Sequence, residues 1–455
     1  MVGQPTRRLF GTDGVRGRAN EYPMTPEMAL NIGRATVQIA AAAPGQRPRI
    51  VIGQDTRLSG DMLTAALTAG VCSMGGDALL LGPLPTPGIA YLTTHLKADA
   101  GIAVSASHNP FPDNGLKIFS GDGFKLPDEA EDRLEELVFS ETIDRVRPTG
   151  SNLGRVQLVK DAVETYTAFL KVAFPRDLNL DGVRLVVDCA HGAAFRCAPV
   201  LLQDLGAKVF LLGASPDGEN INRDAGSLCP EKAAAKVLEQ GADLGLALDG
   251  DADRAIFVDE QGRIVDGDHI MAVCAQDLDR RGRLAKRTVV ATVMSNLGLE
   301  KALASLGIRL VRTQVGDRYV VETMRAGGYN FGGEQSGHLI FLDHSTTGDG
   351  LLSALRVLAV MRREGKSLAE LADMIETFPQ VLVNVRVGRR ADLNEIPSLA
   401  HHFRQVEERL GDEGRLLVRY SGTEPLVRVM IEGLNQDEIQ TMAEETAALI
   451  GKELS

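Results

Sequence analysis

Three aspartates at alternate positions, Asp249, Asp251 and Asp253 in the stretch LGLALDGDADRAIFVDE, make the sharpest chemical demand in this sequence. They follow an apolar run, residues 244–248, that reads as a buried strand, and only Gly250 and Ala252 separate them. Carboxylates this close repel one another unless a cation sits among them, and small spacers let the backbone curl so that all three converge. Oxygen donors select a hard divalent ion, and Mg2+ is favoured where a phosphate supplies a further ligand. Arg254 follows at once, placed to hold a phosphate oxygen. The competing reading, an acidic surface loop, sits poorly with the buried strand before it and with the lack of a neighbouring lysine. The spacing is not that of an EF-hand.

Four further segments carry chemistry-bearing residues. In AVSASHNPFPDNGLK an apolar strand, 100–104, ends on Ser105 and Ser107, with His108, an Asn-Pro turn and Lys117 beyond. That pattern suits a serine presented for reaction, and spacing alone does not choose Ser107 over Ser105. In VRYSGTEPLVRVM, Arg419, Ser421, Gly422 and Thr423 offer a guanidinium, hydroxyls and backbone N–H groups in a tight loop, with Arg428 on the next strand. This is an oxyanion or phosphate cradle, or else an ordinary hairpin turn. In GGEQSGHLIF, Glu334, Ser336 and His338 alternate, so an extended backbone would put them on one side, suited to sugar hydroxyls or an amine; a polar turn is the plainer alternative. FGTDGVRG sets Asp13 and Arg16 among glycines without the strand and spacing of a dinucleotide fingerprint, and reads as a loop offering Arg16 to an anion. Arg57 in GQDTRLSG reads as structural.

The elements that must position these residues repeat. RIVIGQDTRLSG…GGDALLLG, RLVVDCAHGAA…LGAKVFLLG and TVVATVMSNLG…LGIRLVRTQVG each read as strand, loop, helix, glycine stop and second strand, which is a βαβ unit. Three copies predict three similar α/β domains, against the alternative of one large doubly wound sheet. From about Pro379 the order becomes strand, helix and a two-stranded hairpin with a final helix, a smaller α+β domain. The stretch MRREGKSLAELADMIETF before it reads as a solvated helix and connector. Expected boundaries are 1–157, 158–256, 257–372 and 373–455.

At 455 residues the chain is long enough for several domains, and 44% hydrophobic residues give ample burial. A net charge of −12 argues against nucleic-acid binding and requires local Arg and Lys for any anionic substrate. The five cysteines have no metal or disulfide spacing and read as reduced thiols. With no apolar leader core and no membrane-length apolar run, a cytoplasmic protein with no membrane partner is expected. In open α/β sheets ligands sit beyond the C-terminal strand ends, so loops from four domains are expected around one central cleft. Serine, metal and phosphate loops together point to phosphoryl transfer.

SASHNP, DGDADR, GEQSGH and RYSGTEP, in this order over essentially the whole chain, resemble the α-D-phosphohexomutase superfamily. FGTDGVRG, VGDRYV and the Gln335 of GEQSGH resemble its bacterial glucosamine-phosphate branch, ahead of the phosphomannomutase/phosphoglucomutase relatives that act on mannose or glucose phosphates. The resemblance implies an isomerase that interconverts glucosamine 6-phosphate and glucosamine 1-phosphate for amino-sugar nucleotide and cell-wall precursor synthesis. It implies a phosphoryl group carried on Ser107 and one Mg2+ held by that phosphate with Asp249, Asp251 and Asp253. A hexose 1,6-bisphosphate would be both intermediate and activator. By the same resemblance His108 helps hold the phosphate, and Lys117 and Arg16 flank the reacting group. Lys117, its pKa lowered by surrounding cations, or His338 exchanges the proton. Arg254, placed by its position to hold a phosphate oxygen, is counted with the substrate-binding residues. Glu334 and Ser336 grip the sugar, and Arg419, Ser421, Gly422, Thr423 and Arg428 hold the phosphate that is not reacting. The family also suggests a homodimer. An aspartate-nucleophile phosphatase and a silent sugar-phosphate sensor are the rivals outside the family.

Overall fold

Each sequence repeat forms its own sheet, and each reactive segment ends or joins strands of such a sheet. The computed structural model describes residues 9–11, 13–40, 47–140, 142–145, 147–421 and 425–454. The first sheet comprises β1 (Phe10–Gly11), β2 (Gly14–Arg18), β3 (Arg49–Gln54), β4 (Asp77–Pro83), β5 (Ala100–Val104), β6 (Asp113–Ser120) and β7 (Val156–Leu158), in the order β1-β2-β6-β5-β3-β4-β7. β3 runs parallel to β4 and β5, whereas β6 is antiparallel to β5 and to β2. All five residues of β5 are buried, as expected of a central strand written AGIAV and covered on both faces.

The second sheet comprises β8 (Arg184–Asp188), β9 (Lys208–Leu212), β10 (Leu244–Leu248), β11 (Ala255–Asp259) and β12 (Ile264–Val265), in the order β12-β11-β10-β8-β9. Here β8, β9 and β10 are parallel, and β11 folds back antiparallel on β10, pairing Leu248 with Ala255. That register fixes residues 249–254 as the connection of a tight hairpin. The third sheet comprises β13 (Thr288–Thr292), β14 (Arg309–Thr313), β15 (Phe331–Gly333) and β16 (Leu339–Phe341), in the order β14-β13-β15-β16.

By density of contacts the chain divides into two compact units, Met1–Thr292 with Val311–Asp373, and Val293–Leu310 with Met374–Ser455. The C-terminal unit carries an antiparallel sheet of β17 (Gln380–Arg386), β18 (Gly414–Tyr420) and β19 (Leu426–Gly433), ordered β17-β19-β18. Helices Pro397–Leu410 and Gln436–Leu454 place Leu399, Phe403, Ile439, Met442 and Ile450 in one core with Val427, Val429 and Ile431 of β19. The fold is therefore three α/β sheet domains and a smaller α+β domain. No described helix is long and apolar enough to cross a membrane.

Two expectations need correction. FGTDGVRG is not an open loop: β1 and β2 pair antiparallel within it, Phe10 opposite Val15. MRREGKSLAELADMIETF is not a solvated helix. Its first helix ends at Glu364 before Gly365, which is left-handed at φ +64, and a short helix, Leu368–Ala372, restarts on a Ser367–Glu370 capping box. Leu368, Ala369, Leu371, Ile375 and Phe378 are buried, because an apolar set spaced three and four apart was hidden among the charges.

In the first domain helices Pro26–Ala40 and Ser59–Ser73 approach through glycine. A Cβ on Gly70 would lie 2.1 Å from the Leu30 carbonyl oxygen, and one on Gly33 would lie 2.5 Å from that of Leu67. Gly70→Ala must push the helices apart, and should lower stability by about 1–3 kcal/mol, read as a fall in the thermal midpoint.

Candidate active site

Ser107 follows β5 in a left-handed backbone conformation, φ +52, that a serine adopts only when its surroundings enforce it. The enforcement is visible. The Ser107 N–H donates to Ser105 Oγ at 2.9 Å, and Ser105 Oγ donates to Asp55 Oδ2 at 2.6 Å. Asp55, whose carboxyl burial raises in pKa, accepts from Arg57 Nε at 2.9 Å. The buried Arg57 guanidinium also donates to the carbonyls of Ser107, Asn109, Pro110 and Asp113, at 2.9, 2.7, 2.6 and 3.1 Å. Arg57 is therefore structural, as expected, and the structure it maintains is the serine loop. Ser105 is consumed in the same network, which leaves Ser107 as the serine aimed at the metal loop: its Oγ donates to Asp249 Oδ2 at 2.6 Å and lies 3.3 Å from His108 Nδ1.

The β10–β11 hairpin converges its carboxylates as the spacing required. Asp249, Asp251 and Asp253 are buried and present ligand oxygens within 4.8 Å of one another. Ala252 takes the left-handed conformation, φ +56, that turns the chain between them. A Cβ on Gly250 would stand 2.6 Å from the Ser107 carbonyl oxygen, so only glycine lets this loop reach the serine loop. At an effective dielectric of about 20, two unit charges this far apart repel by roughly 3 kcal/mol. Burial and repulsion from Asp253 and Asp251 accordingly push the Asp249 carboxyl well above its ordinary pKa.

Among the described residues, Asp251 Oδ1 and Asp253 Oδ1 are buried without a hydrogen-bond partner. Two buried carboxylate oxygens that accept no hydrogen bond, beside a third carboxylate, fit a hard divalent cation. Both remaining oxygens are already taken: Lys117 Nζ from β6 lies 2.9 Å from Asp251 Oδ2 and from Asp253 Oδ2, and Thr86 Oγ1 donates to Asp251 Oδ2 at 2.7 Å.

Lys117 departs from expectation in its electrostatics. Its neighbours are carboxylates: Asp13 lies 3.4 Å away, in addition to Asp251 and Asp253. Burial opposes the charge, but these three outweigh it and hold the ammonium well above its usual pKa, where a lowered one was expected. Asp13, which Lys117, Lys125 and Arg16 hold ionised against burial, links Arg16 to Lys125. Lys125 Nζ also lies 2.6 Å from Asp317 Oδ2, and Asp317 is 3.4 Å from His338 Nε2. His338 Nδ1 is 3.6 Å from Asp253 Oδ1, which closes a ring of alternating charge. Burial disfavours the imidazolium of His338, yet Asp253, Asp317 and Glu334 raise its pKa. Burial, with Arg254 and Arg16 close by, lowers that of His108 to about 4. Among the described residues, the Nε atoms of Arg16 and Arg254 are buried without a hydrogen-bond partner.

The GEQSGH segment is a turn, not the extended strand expected. Glu334 N–H bonds to His338 O at 3.0 Å, Gly337 N–H bonds to Glu334 O at 3.0 Å, and Gly337 has φ +87. His338 points inward, Ser336 is exposed, and Glu334 lies between, its Oε1 accepting from Gly316 N–H at 3.2 Å. The flanking glycines required for a tight hairpin were the sequence signal against alternation.

In the C-terminal unit β18 and β19 set Arg419 directly opposite Arg428. Like charges facing across strands destabilise a sheet, and two guanidiniums side by side suit an anion. Burial, and then Arg428, lowers the pKa of the Arg419 guanidinium. Ser421 is buried at the end of β18, its N–H bonded to Leu426 O at 2.8 Å. Gly422 and Thr423 lie outside the described residues.

Family models match across this architecture: phosphoglucomutase/phosphomannomutase alpha/beta/alpha domain I over residues 7–145, domain II over 163–262, domain III over 266–378, and the C-terminal domain over 382–449. The phosphoglucosamine mutase of Syntrophotalea carbinolica is 57% identical over 98% of both chains. That of Myxococcus xanthus is 56% identical over 99% of this chain and 98% of its own. The chain belongs to the phosphoglucosamine mutase family, within the phosphohexomutase superfamily.

Solved structures share the fold. A phosphoglucomutase/phosphomannomutase family protein from Burkholderia thailandensis matches with a TM-score of 0.80 at 23% identity over 98% of each chain. An Aspergillus fumigatus N-acetylphosphoglucosamine mutase, in complex with GlcNAc-6P and magnesium, matches with 0.66 at 19% identity, over 98% of this chain and 96% of that one. The family expectation from four short motifs is thus met along the whole chain.

Within the larger unit the fold gathers Arg16, Ser107, His108, Lys117, Asp249, Asp251, Asp253, Arg254, Glu334 and His338 through the contacts given above. Sequence reasoning missed Lys125, Asp317 and Thr86, and it noted Asp13 without a role. Asp317 lay in VGDRYV, used only as a family mark, and no local pattern pairs it with Lys125, 192 positions away. Arg57→Met would strand Asp55 and uncover the loop carbonyls. Breaking a buried ion pair this way costs about 3–5 kcal/mol, so a large fall in the thermal midpoint is expected.

Proposed function

We propose that this protein is an isomerase that interconverts glucosamine 6-phosphate and glucosamine 1-phosphate by way of a phosphorylated Ser107. The observation that carries the reading is Ser107 Oγ, 2.6 Å from Asp249 in a carboxylate cluster with two buried oxygens that accept no hydrogen bond. The family's glucosamine-phosphate members, at 57% identity over 98% of the chain, support the sugar.

In this reading the phosphoryl group moves from Ser107 Oγ to O1 of glucosamine 6-phosphate: the bond from phosphorus to Oγ breaks as the bond to O1 forms. The bound 1,6-bisphosphate turns over, and its 6-phosphoryl returns to Ser107 Oγ, releasing glucosamine 1-phosphate. Asp249, Asp251 and Asp253 would hold Mg2+, which neutralises charge on the phosphoryl group. Arg16 and Arg254, whose Nε atoms make no hydrogen bond, and Lys117 place fixed positive charge around that group. The neutral His108 supplies an N–H donor beside Ser107. The hydroxyl proton is exchanged with Lys117 or His338, which approach opposite oxygens of Asp253. Glu334 and Ser336 hold the sugar, and Arg419, Ser421, Gly422, Thr423 and Arg428 hold the phosphate that is not reacting. A cytoplasmic location belongs to the same reading and is supported by five free cysteines.

The first test is phosphorus NMR with Mg2+ and a trace of hexose 1,6-bisphosphate. An anomeric phosphate signal should grow fastest from glucosamine 6-phosphate. Faster conversion of mannose or glucose 6-phosphate overturns the sugar assignment, and release of inorganic phosphate overturns the mutase. Ser107→Ala should abolish turnover with an unchanged thermal midpoint; full activity would sink the scheme. Arg419→Ala should raise KM for the sugar phosphate roughly ten- to a hundredfold, the worth of one charge-assisted hydrogen bond.

A further inference from the structure

The serine loop and the metal loop come from different domains, yet phosphoryl transfer needs them in a fixed register. Among the side chains that cross the seam, one grips the serine loop by its backbone. Asn222, in PDGENINRDAG of the second domain, donates through Nδ2 to the carbonyl oxygens of both Ser107, at 2.9 Å, and Asn109, at 3.1 Å. These are the same two carbonyls that accept from Arg57 Nη2. Each carbonyl oxygen has two lone pairs, and here one is used by the first domain and the other by the second. Asn222 also touches the metal loop: a Cβ on Gly250 would meet its Nδ2 at 2.8 Å.

Asn222 is itself held for this task. Its backbone is left-handed, φ +59, a conformation that asparagine tolerates better than most residues. Its N–H bonds to Ala190 O at 2.9 Å, beside β8. Neighbouring bonds close the same seam: Leu58 N–H donates to Gly218 O at 2.9 Å, and Thr56 Oγ1 donates to His191 O at 2.5 Å. Neither of those two bonds falls on the serine loop. The Asn222 bonds fall on the carbonyl of the reacting serine.

We infer that Asn222 is a positioning residue for phosphoryl transfer, setting Ser107 Oγ against the Asp249–Asp253 loop from the opposite domain. The inference rests on the reading of Ser107 as the phosphoryl carrier. Asn222 Nδ2 bonds to backbone carbonyls of the serine loop, so its loss should change the rate at saturation and leave substrate affinity alone.

The test is a single half-reaction: phosphorylation of Ser107 by glucose 1,6-bisphosphate with Mg2+, followed by intact-protein mass spectrometry in wild type, N222A and N222D. N222A removes both donors. N222D is isosteric and turns a carboxylate oxygen on two carbonyls. The saturated rate should fall roughly tenfold to a hundredfold in N222A and further in N222D, with the half-saturating bisphosphate concentration unchanged. Saturated rates indistinguishable from wild type, or a change confined to half-saturation, would overturn the assignment. So would failure of both variants to fold, which would place Asn222 in the fold alone. If wild-type Ser107 takes no phosphoryl group, the reading of Ser107 falls first and this inference falls with it.

Discussion

Mutual repulsion among three buried carboxylates is the constraint around which this site is arranged. Asp249, Asp251 and Asp253 lie on one six-residue connection, residues 249–254, and each is almost fully removed from water. Burying even one unpaired carboxylate is costly, and three together are tolerated only against compensating charge. The protein supplies part of that charge itself. Lys117 neutralises one oxygen of Asp251 and one of Asp253, and Arg254 and His338 stand on the outer side. Two of the oxygens, Asp251 Oδ1 and Asp253 Oδ1, still accept no hydrogen bond, and that shortfall suits a divalent cation.

The same electrostatic demand explains why the larger unit is knitted across its domains. The lysine comes from a strand of the first sheet, the carboxylates from a hairpin of the second, and the histidine from a turn of the third. Asp13 and Asp317 extend the alternation outward, so that Arg16 and Lys125 are held by the same network. Moving one domain relative to another would separate opposite charges in a low-dielectric setting. Backbone geometry adds to this: Ser107 and Ala252 are both left-handed, and Gly250 permits contact between their loops. Such local strain persists only where surrounding bonds over-determine it, as the Arg57 and Asn222 donors do around Ser107.

The C-terminal unit obeys a simpler rule. Its hairpin register forces Arg419 and Arg428 to face one another across β18 and β19. Directly opposed like charges destabilise a sheet, so the pair carries a cost in folding. Strand alternation sets the position of the pair, which is why VRYSGTEPLVRVM is legible as a hairpin carrying two arginines from its residues alone.

Local pattern determined a good deal. The βαβ repeats, the buried strands AGIAV and LGLAL, the C-terminal hairpin and the convergence of three aspartates all follow from periodicities of two and 3.6 residues and from the small size of Gly250 and Ala252. The choice of Ser107 over Ser105 did not follow. Both are small hydroxyls after one strand, and only the fold brings Asp55 to one and Asp249 to the other. The surroundings of Lys117 were misjudged because its cationic neighbours are motif residues, whereas the carboxylates that touch it arrive from 104 to 136 positions away. GEQSGH alternates on paper, but the β15–β16 hairpin needs a turn there. Local sequence determines what each segment can do alone. Which charges meet is decided by the packing of sheets that share no local pattern, because Coulomb interactions depend on distance in space and not along the chain.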